Sequence, residues 1–269
     1  MRSDQVQGWL RCCCHLLWDE SSDVILMQRR CLPGRILKAN YKAVCGARGR
    51  GDTVLNSSIQ MLLNEVVAGT RPFSLEISSE AGVLEGVLRP VTVAHLDDHE
   101  IIRRLTDWRN QSMEKFLSQF VATPERTRNW MRNVLLKTQG QMLFLVCVKD
   151  QVVGHYGFKN LTSSEVLLDN ALRGERGGHP KLFVWAGQTL VQWLFREAVV
   201  QRVYAYVLAD NAVSIMMNKQ IGFGGWQRHP LTKCVREGEV VWEMGSEGGT
   251  SAEGRYCFKL LIERSLGII

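Results

Sequence analysis

Between Arg173 and His179 the chain sets two arginines and three glycines, Arg173-Gly174-Glu175-Arg176-Gly177-Gly178-His179, shortly before an apolar-periodic run that opens at Leu182. Glycines let successive backbone N–H groups crowd around one oxyanion, and a helix just downstream adds the positive end of its dipole. Arg173 and Arg176 can add charge-assisted hydrogen bonds to the same anion. The chemistry implied is a pyrophosphate cradle, and the competing reading is a flexible basic turn. The stretch is not a P-loop, since it lacks Gly-Lys-Ser/Thr, and its glycines do not match the dinucleotide-binding spacing.

The elements that must hold this turn are legible on both sides. Val166, Leu167 and Leu168 form an apolar run of strand length that ends at Arg173-Gly174. Leu182, Trp185, Ala186, Thr189, Leu190, Trp193 and Leu194 recur at helical spacing, with Pro180 expected in the first turn. Residues 203–208 are apolar or aromatic throughout, as suits a strand buried in a sheet. Strand, helix and strand in this order imply a parallel pair with a right-handed crossover. Next comes a short helix closed by Gly222-Phe223.

Upstream, a unit beginning near Gly86 reads as a strand over 87–93, with Pro90 implying an edge or a bulge, and a helical stripe over 96–108. A second helix is capped by Thr123 with Pro124 at its first position. Strands over 142–148 and 152–158 are joined by a tight turn, and two more strands are expected at 240–244 and 256–262. Residues 1–85 read as a small α+β accessory domain, with strands at 9–17 and 24–27 and a helix over 56–67. Its basic glycine stretch at 47–52 suits a solvated turn better than a phosphate contact.

The chain has 269 residues and a net charge of +6, enough for one large domain or a medium domain with an accessory piece. That charge suits an anionic ligand, and no interleaved aromatic and basic module points to nucleic acid. Eight cysteines occur without any CxxC pair, so no metal site is expected. Neither a secretory signal nor a membrane span is visible, and the expectation is free thiols in a reducing cytoplasm.

Residues 163–223 resemble the cofactor-binding half of the GNAT superfamily of acyl-CoA-dependent N-acyltransferases. In that family a strand, an Arg/Gln-x-x-Gly-x-Gly/Ala loop, a helix and a strand precede Asn with Gly-Phe eleven and twelve residues on, as at Asn211 and Gly222-Phe223. The loop departs from the pattern, because Arg176 stands where glycine is usual. The resemblance extends over about 86–265 and implies a mixed central sheet flanked by helices, an α/β (α+β) fold, with residues 1–85 as the accessory domain and 86–269 as the acyltransferase domain. Asp107-Trp108-Arg109-Asn110, with Thr123-Pro124-Glu125 and Trp130 downstream, is similar to acyltransferases that act on amino-deoxy sugars carried by nucleotides.

The resemblance implies acetyl-CoA or another short acyl-CoA as donor and direct attack by an amine. Backbone N–H groups near Leu167, Leu168 and Asp169 would hold the pantetheine arm and polarise the thioester carbonyl. Arg173, Gly174, Arg176, Gly177, Gly178 and His179 would hold the diphosphate, and Asn211 the arm or its loop. Trp108, Arg109 and Asn110 would meet the acceptor. The amine's proton needs a carboxylate or imidazole. Glu165 and Asp169 share a strand face by their even spacing, and His155 on the neighbouring strand is the third candidate. The family's usual acid, a tyrosine seven residues after Asn211, is here Asn218, which can donate a hydrogen bond but is no acid. Alternatives kept open are acetylation of a protein N-terminus or ribosomal protein, and a non-catalytic domain that binds coenzyme A. The resemblance allows a homodimer.

Overall fold

The computed structural model describes residues 57–264. The strands expected at 9–17 and 24–27 and the turn at 47–52 lie outside the described residues. In chain order the elements are α1 (Ser57–Val67), β1 (Leu75–Ser78), β2 (Leu84–Pro90), α2 (His99–Gln111), β3 (Ser118–Gln119), α3 (Pro124–Trp130), β4 (Met142–Val148) and β5 (Gln151–Lys159). The remainder are β6 (Glu165–Arg173), α4 (Leu182–Arg196), β7 (Arg202–Leu208), α5 (Ala212–Ile221), β8 (Gly224–Arg236), β9 (Glu239–Met244) and β10 (Tyr256–Glu263). The strands lie in the order β1-β2-β4-β5-β6-β7-β10-β8-β9-β3. Every neighbouring pair is antiparallel except β6 with β7, the parallel pair that the strand–helix–strand order requires.

Two helical layers account for the unbroken apolar run of β4. Phe144 and Val146 enter a core shared with α1 and α4, while Leu143, Leu145 and Cys147 face α2 and the turn after α3. A strand covered on both faces has no polar side to show. Ile59, Leu63 and Val66 of α1 belong to that first core, and β1 pairs with β2. The boundary expected near Gly86 therefore falls inside a strand, and residues 57–85 share one sheet and one core with the chain downstream of them.

Local signals explain the helix starts. The Asp98 carboxylate accepts from the amides of Glu100 and Ile101 at 3.1 and 3.0 Å, so α2 begins later than the apolar stripe alone suggests. Thr123 caps α3 through the Arg126 amide at 3.1 Å, with Pro124 at the first position as expected. Pro180 stands one residue before Lys181, the N-cap of α4, rather than within its first turn.

The long strand β8 is not legible from the sequence. Its opening glycines and the proline in its middle mask it, and the structure shows why the proline is tolerated. Residues up to Pro230 pair with β10, and from Leu231 onward the partner is β9, so the missing N–H falls where the ladder changes sides. No helix among the described residues is long and apolar enough to cross a membrane.

Candidate functional site: a cleft where two parallel strands part

The ladder between β6 and β7 runs over Glu165–Arg202, Val166–Val203 and Leu167–Tyr204 and goes no further. Leu168 to Arg173 diverge from β7, and a cleft of about 720 Å³ opens there. Its walls include Asp169, Arg173, Phe183, Tyr206, Asn211 and Asn218. Leu167 is the last residue laddered to β7 and Leu168 the first beyond it, so the backbone expected to meet a thioester lies at the point of parting.

A bulge shapes that backbone. Gly157 opposes Asp169 and His155 opposes Leu172, so Tyr156 faces two residues, Asn170 and Ala171. Asn170 takes the left-handed conformation at φ 56°, which asparagine tolerates better than most residues. Its carbonyl accepts from His155 Nδ1 at 2.7 Å. Because a carbonyl only accepts, the imidazole proton sits on Nδ1. His155 is 7% exposed, and burial lowers its pKa to about 4, outweighing the Asn170 bond that pulls the other way. The ring is a neutral clamp on the bulge and does not line the cleft.

That burial sets a pH dependence. The unfolded imidazole titrates near 6.5 and the folded one near 4, so below pH 6.5 the unfolded chain binds a proton that the native state refuses. The stability present above pH 6.5 is lost as pH falls toward 4, by on the order of 3 kcal/mol. Urea unfolding from pH 7 to 4 should show this decline, and His155→Gln should remove most of its slope.

Asp169 lines the cleft with a side chain 30% exposed and pairs with Lys159 Nζ at 2.5 Å. Glu165 stands at the laddered end of β6, where Arg202 lies 3.5 Å away, and does not reach the cleft. Of the three proton acceptors suggested by sequence, the structure brings only Asp169 to the cleft wall. Lys159, its partner, carries no motif that would mark it in the sequence.

The glycine turn lies at the other end of the cleft, and its groups divide into two sets. The amides of Gly174 and Glu175 both donate to Val153 O at 3.0 Å. Arg173, expected to face an anion, donates to the carbonyls of Gly177 at 2.5 Å and Pro180 at 3.3 Å and so braces the loop. The amides of Arg176, Gly177, Gly178 and His179 make no hydrogen bond within the described residues. These four amides lie beside the start of the 15-residue α4, where unbonded N–H groups and the helix dipole suit an anion. Arg176 beside them is exposed. His179 Nδ1 accepts from Lys181 N at 3.1 Å, which leaves its proton on Nε2 as an outward donor.

Trp108, Arg109 and Asn110, expected to meet the acceptor, do not line the cleft, and each is engaged elsewhere in the fold. Trp108 is 2% exposed and its Nε1 donates to Glu175 at 3.1 Å, under the glycine turn. Arg109 lies 4.3 Å from the ring centres of both Phe116 and Phe120 and donates to Ser118 O at 2.9 Å. Burial, helped by Arg126, lowers its pKa to about 10, which leaves it charged at neutral pH. Asn110 closes a two-bond clasp on Ala122, accepting from its amide at 2.8 Å and donating to its carbonyl at 3.0 Å. The segment thus braces the strap whose Ser112, Lys115, Phe116 and Leu117 wall the cleft. Asn110→Ala strands both polar groups of the buried Ala122, and a loss of about 2–4 kcal/mol in urea unfolding is expected.

On α5, Asn211 accepts from Ser214 N at 3.1 Å and is the helix cap. Asn218 lines the cleft, but its Nδ2 donates to Ser214 O at 2.8 Å. On β7 the side chains alternate: Val203, Ala205 and Val207 are buried, whereas Tyr204 and Tyr206 are only half-buried and lie on the same face as Leu167 and Asp169. The uniform burial expected for this strand does not hold, because α4 and α5 cover one face alone.

Among the described residues, a mixed sheet whose one parallel pair splays into a cleft, with a glycine turn of unbonded amides nearby, is a frame able to hold an extended anionic ligand. The chain belongs to the family described as the acetyltransferase (GNAT) domain, whose model matches residues 87–224. No curated protein matches the chain. Among solved structures, a probable GNAT-family acetyltransferase from Chromobacterium violaceum shares 13% identity over 86% of this chain and 97% of its own, with a TM-score of 0.49. A GNAT-family acetyltransferase from Bacillus anthracis shares 16% identity over 71% and 98%, with a TM-score of 0.49. The Salmonella typhimurium acetyltransferase that modifies the N-terminal serine of ribosomal protein L7/L12 shares 14% over 72% and 100%, with a TM-score of 0.47. The protein is an acyl-CoA-dependent acetyltransferase, and the residues present fit coenzyme A: four unbonded amides suit its diphosphate, and the parted strands its arm.

Proposed function

We propose that this acetyltransferase acts on the amine of a nucleotide-linked amino-deoxy sugar, with Asp169 as proton acceptor. The observation that carries the reading is the aromatic face of β7, where Tyr206 walls the same cleft as Asp169. Tyr204 and Tyr206 stand with ring centres 5.8 Å apart, and Lys259 Nζ lies 5.1 Å from the Tyr204 ring centre. Half-exposed aromatic rings suit the faces of a sugar or a base, and lysines beside them suit a diphosphate.

The proposed roles follow the order of groups along the chain. Acetyl-CoA, when bound, supplies an activated acyl group at the parting of β6 and β7. The amides of 176–179 and the Arg176 guanidinium hold its diphosphate, and the backbone past Leu167 orients its arm and polarises the carbonyl. Asp169, held in place by Lys159, accepts a proton from the incoming ammonium so that the nitrogen lone pair can attack. His155 keeps the bulge in shape, and its basicity is too depressed by burial for the same work at neutral pH.

The test is thiol release from acetyl-CoA across UDP- and dTDP-amino sugars and a panel of peptides with free N-termini. Turnover on one or more nucleotide amino sugars is expected. Turnover confined to peptides overturns the acceptor assignment and leaves the enzyme class standing.

A further inference from the structure

The family's usual tyrosine is missing from α5, and Asn218 in its place has its amide protons directed at Ser214 O. The leaving sulfur still needs a donor, since a thiolate expelled into an apolar cleft is costly without one. One buried group near the parted strands has its hydrogen-bonding capacity unused. Tyr156 is 2% exposed, lines the cleft, and makes no hydrogen bond with any described residue. Its hydroxyl is not sealed in the core, so its small accessible area opens on the cleft. Buried tyrosine hydroxyls nearly always find a partner, and one left open toward a ligand cleft points to an acceptor atom on the ligand.

The placement is built rather than incidental. Tyr156 is the residue that faces the Asn170–Ala171 bulge, on the sheet face that α4 covers. Gly187 of α4 leaves room for it: a Cβ there would lie 3.2 Å from Tyr156 Cε1 and 2.4 Å from Ile221 Cδ1. Ile221 lies one helical turn beyond Asn218 on α5. The ring therefore lies beneath the junction of α4 and α5, next to the position the usual tyrosine would occupy, but is carried by β5.

We infer that Tyr156 is the catalytic hydrogen-bond donor to the coenzyme A sulfur, replacing from strand β5 the group that α5 lacks. As the amine forms its N–C bond, the C–S bond breaks and its electron pair leaves on sulfur. Tyr156 holds that anion through its O–H and keeps its own proton, because burial, with Asp169 nearby, raises the phenol's pKa well above that of a thiol. The released thiolate is protonated from solvent. Tyr156 thus acts by hydrogen bonding, as an oxyanion-hole donor does.

This inference rests on the family's acyl-transfer chemistry and not on the choice of acceptor, so it can be tested with coenzyme A alone. Thiol ionisation of bound coenzyme A, tracked by thiolate ultraviolet absorbance against pH, should lie below that of free coenzyme A in the wild type. Tyr156→Phe should raise it by about one pH unit, a tenfold change in ionisation. Acetyl-CoA affinity by calorimetry should stay within about threefold, because the hydrogen bond is made to the thiolate and not to the thioester. Thermal unfolding of the variant checks that the ring still fills its place. Identical thiol titrations in the two proteins, or a loss that appears wholly as weaker acetyl-CoA binding, overturns the assignment.

Discussion

Asp169→Asn is expected to lower kcat by roughly 10²–10⁴-fold, the range that positioned acid–base groups contribute, while acetyl-CoA affinity stays within about twofold. The asparagine keeps the shape of the cleft wall but cannot accept a proton from an ammonium. Only the fraction of acceptor that arrives already neutral can then react. The variant's rate should therefore climb about tenfold per pH unit until the acceptor amine's own pKa is reached, converging on the wild-type rate at high pH. A structural defect has no reason to show that slope. Calorimetry with acetyl-CoA separates the proton step from binding, because the amides of 176–179 proposed to hold the diphosphate belong to the glycine turn and not to the stretch around Asp169. Wild-type turnover in Asp169→Asn would remove the carboxylate from the mechanism.

The sequence is most legible where one physical constraint acts alone. Apolar runs and helical spacing mark the β6–α4–β7 unit, and local chemistry marks the Thr123 cap. Three kinds of feature are hidden. The first depends on partners distant in sequence. Trp108, Arg109 and Asn110 look chemical as a triplet, yet each braces a different segment, at Glu175, Ser118 and Ala122. No pattern within the triplet says so. The second depends on which face of a strand matters. Parity alone places His155 and Tyr156 on opposite faces of β5. Attention to the face shared with Asp169 selects the histidine, which proves to be a clamp, and passes over the tyrosine that opens on the cleft from the other side. The strand β8 is hidden for a third reason, since its proline is permitted only by a change of ladder partner.

Gly174→Ala should be the most damaging small substitution in the glycine turn, and for a steric reason alone. A Cβ at Gly174 would stand 2.1 Å from Cδ2 and Cε2 of Trp108 and 2.4 Å from its Cγ. At Gly178 the backbone is in addition left-handed, at φ 67°, whereas Gly174 needs no such conformation. Relief at Gly174 must come from the ring or from the loop. The ring is 2% exposed and bonded to Glu175, and the loop is tied to Val153 O through two amides at 3.0 Å. Overpacking of this kind costs about 1–3 kcal/mol. Part of it should emerge as a lifted loop, which misdirects the amides of 176–179 and weakens acetyl-CoA binding by roughly 10²-fold, about 2.7 kcal/mol. A double-mutant cycle separates this account from general damage. Trp108→Ala removes all three atoms nearest the new methyl and leaves a cavity, so adding Gly174→Ala to it should cost less than adding it to the wild type. A favourable coupling of at least about 1 kcal/mol is expected for residues in such direct contact. Strict additivity would mean that the indole does not set the height of the loop, and that the glycine serves the turn in some other way.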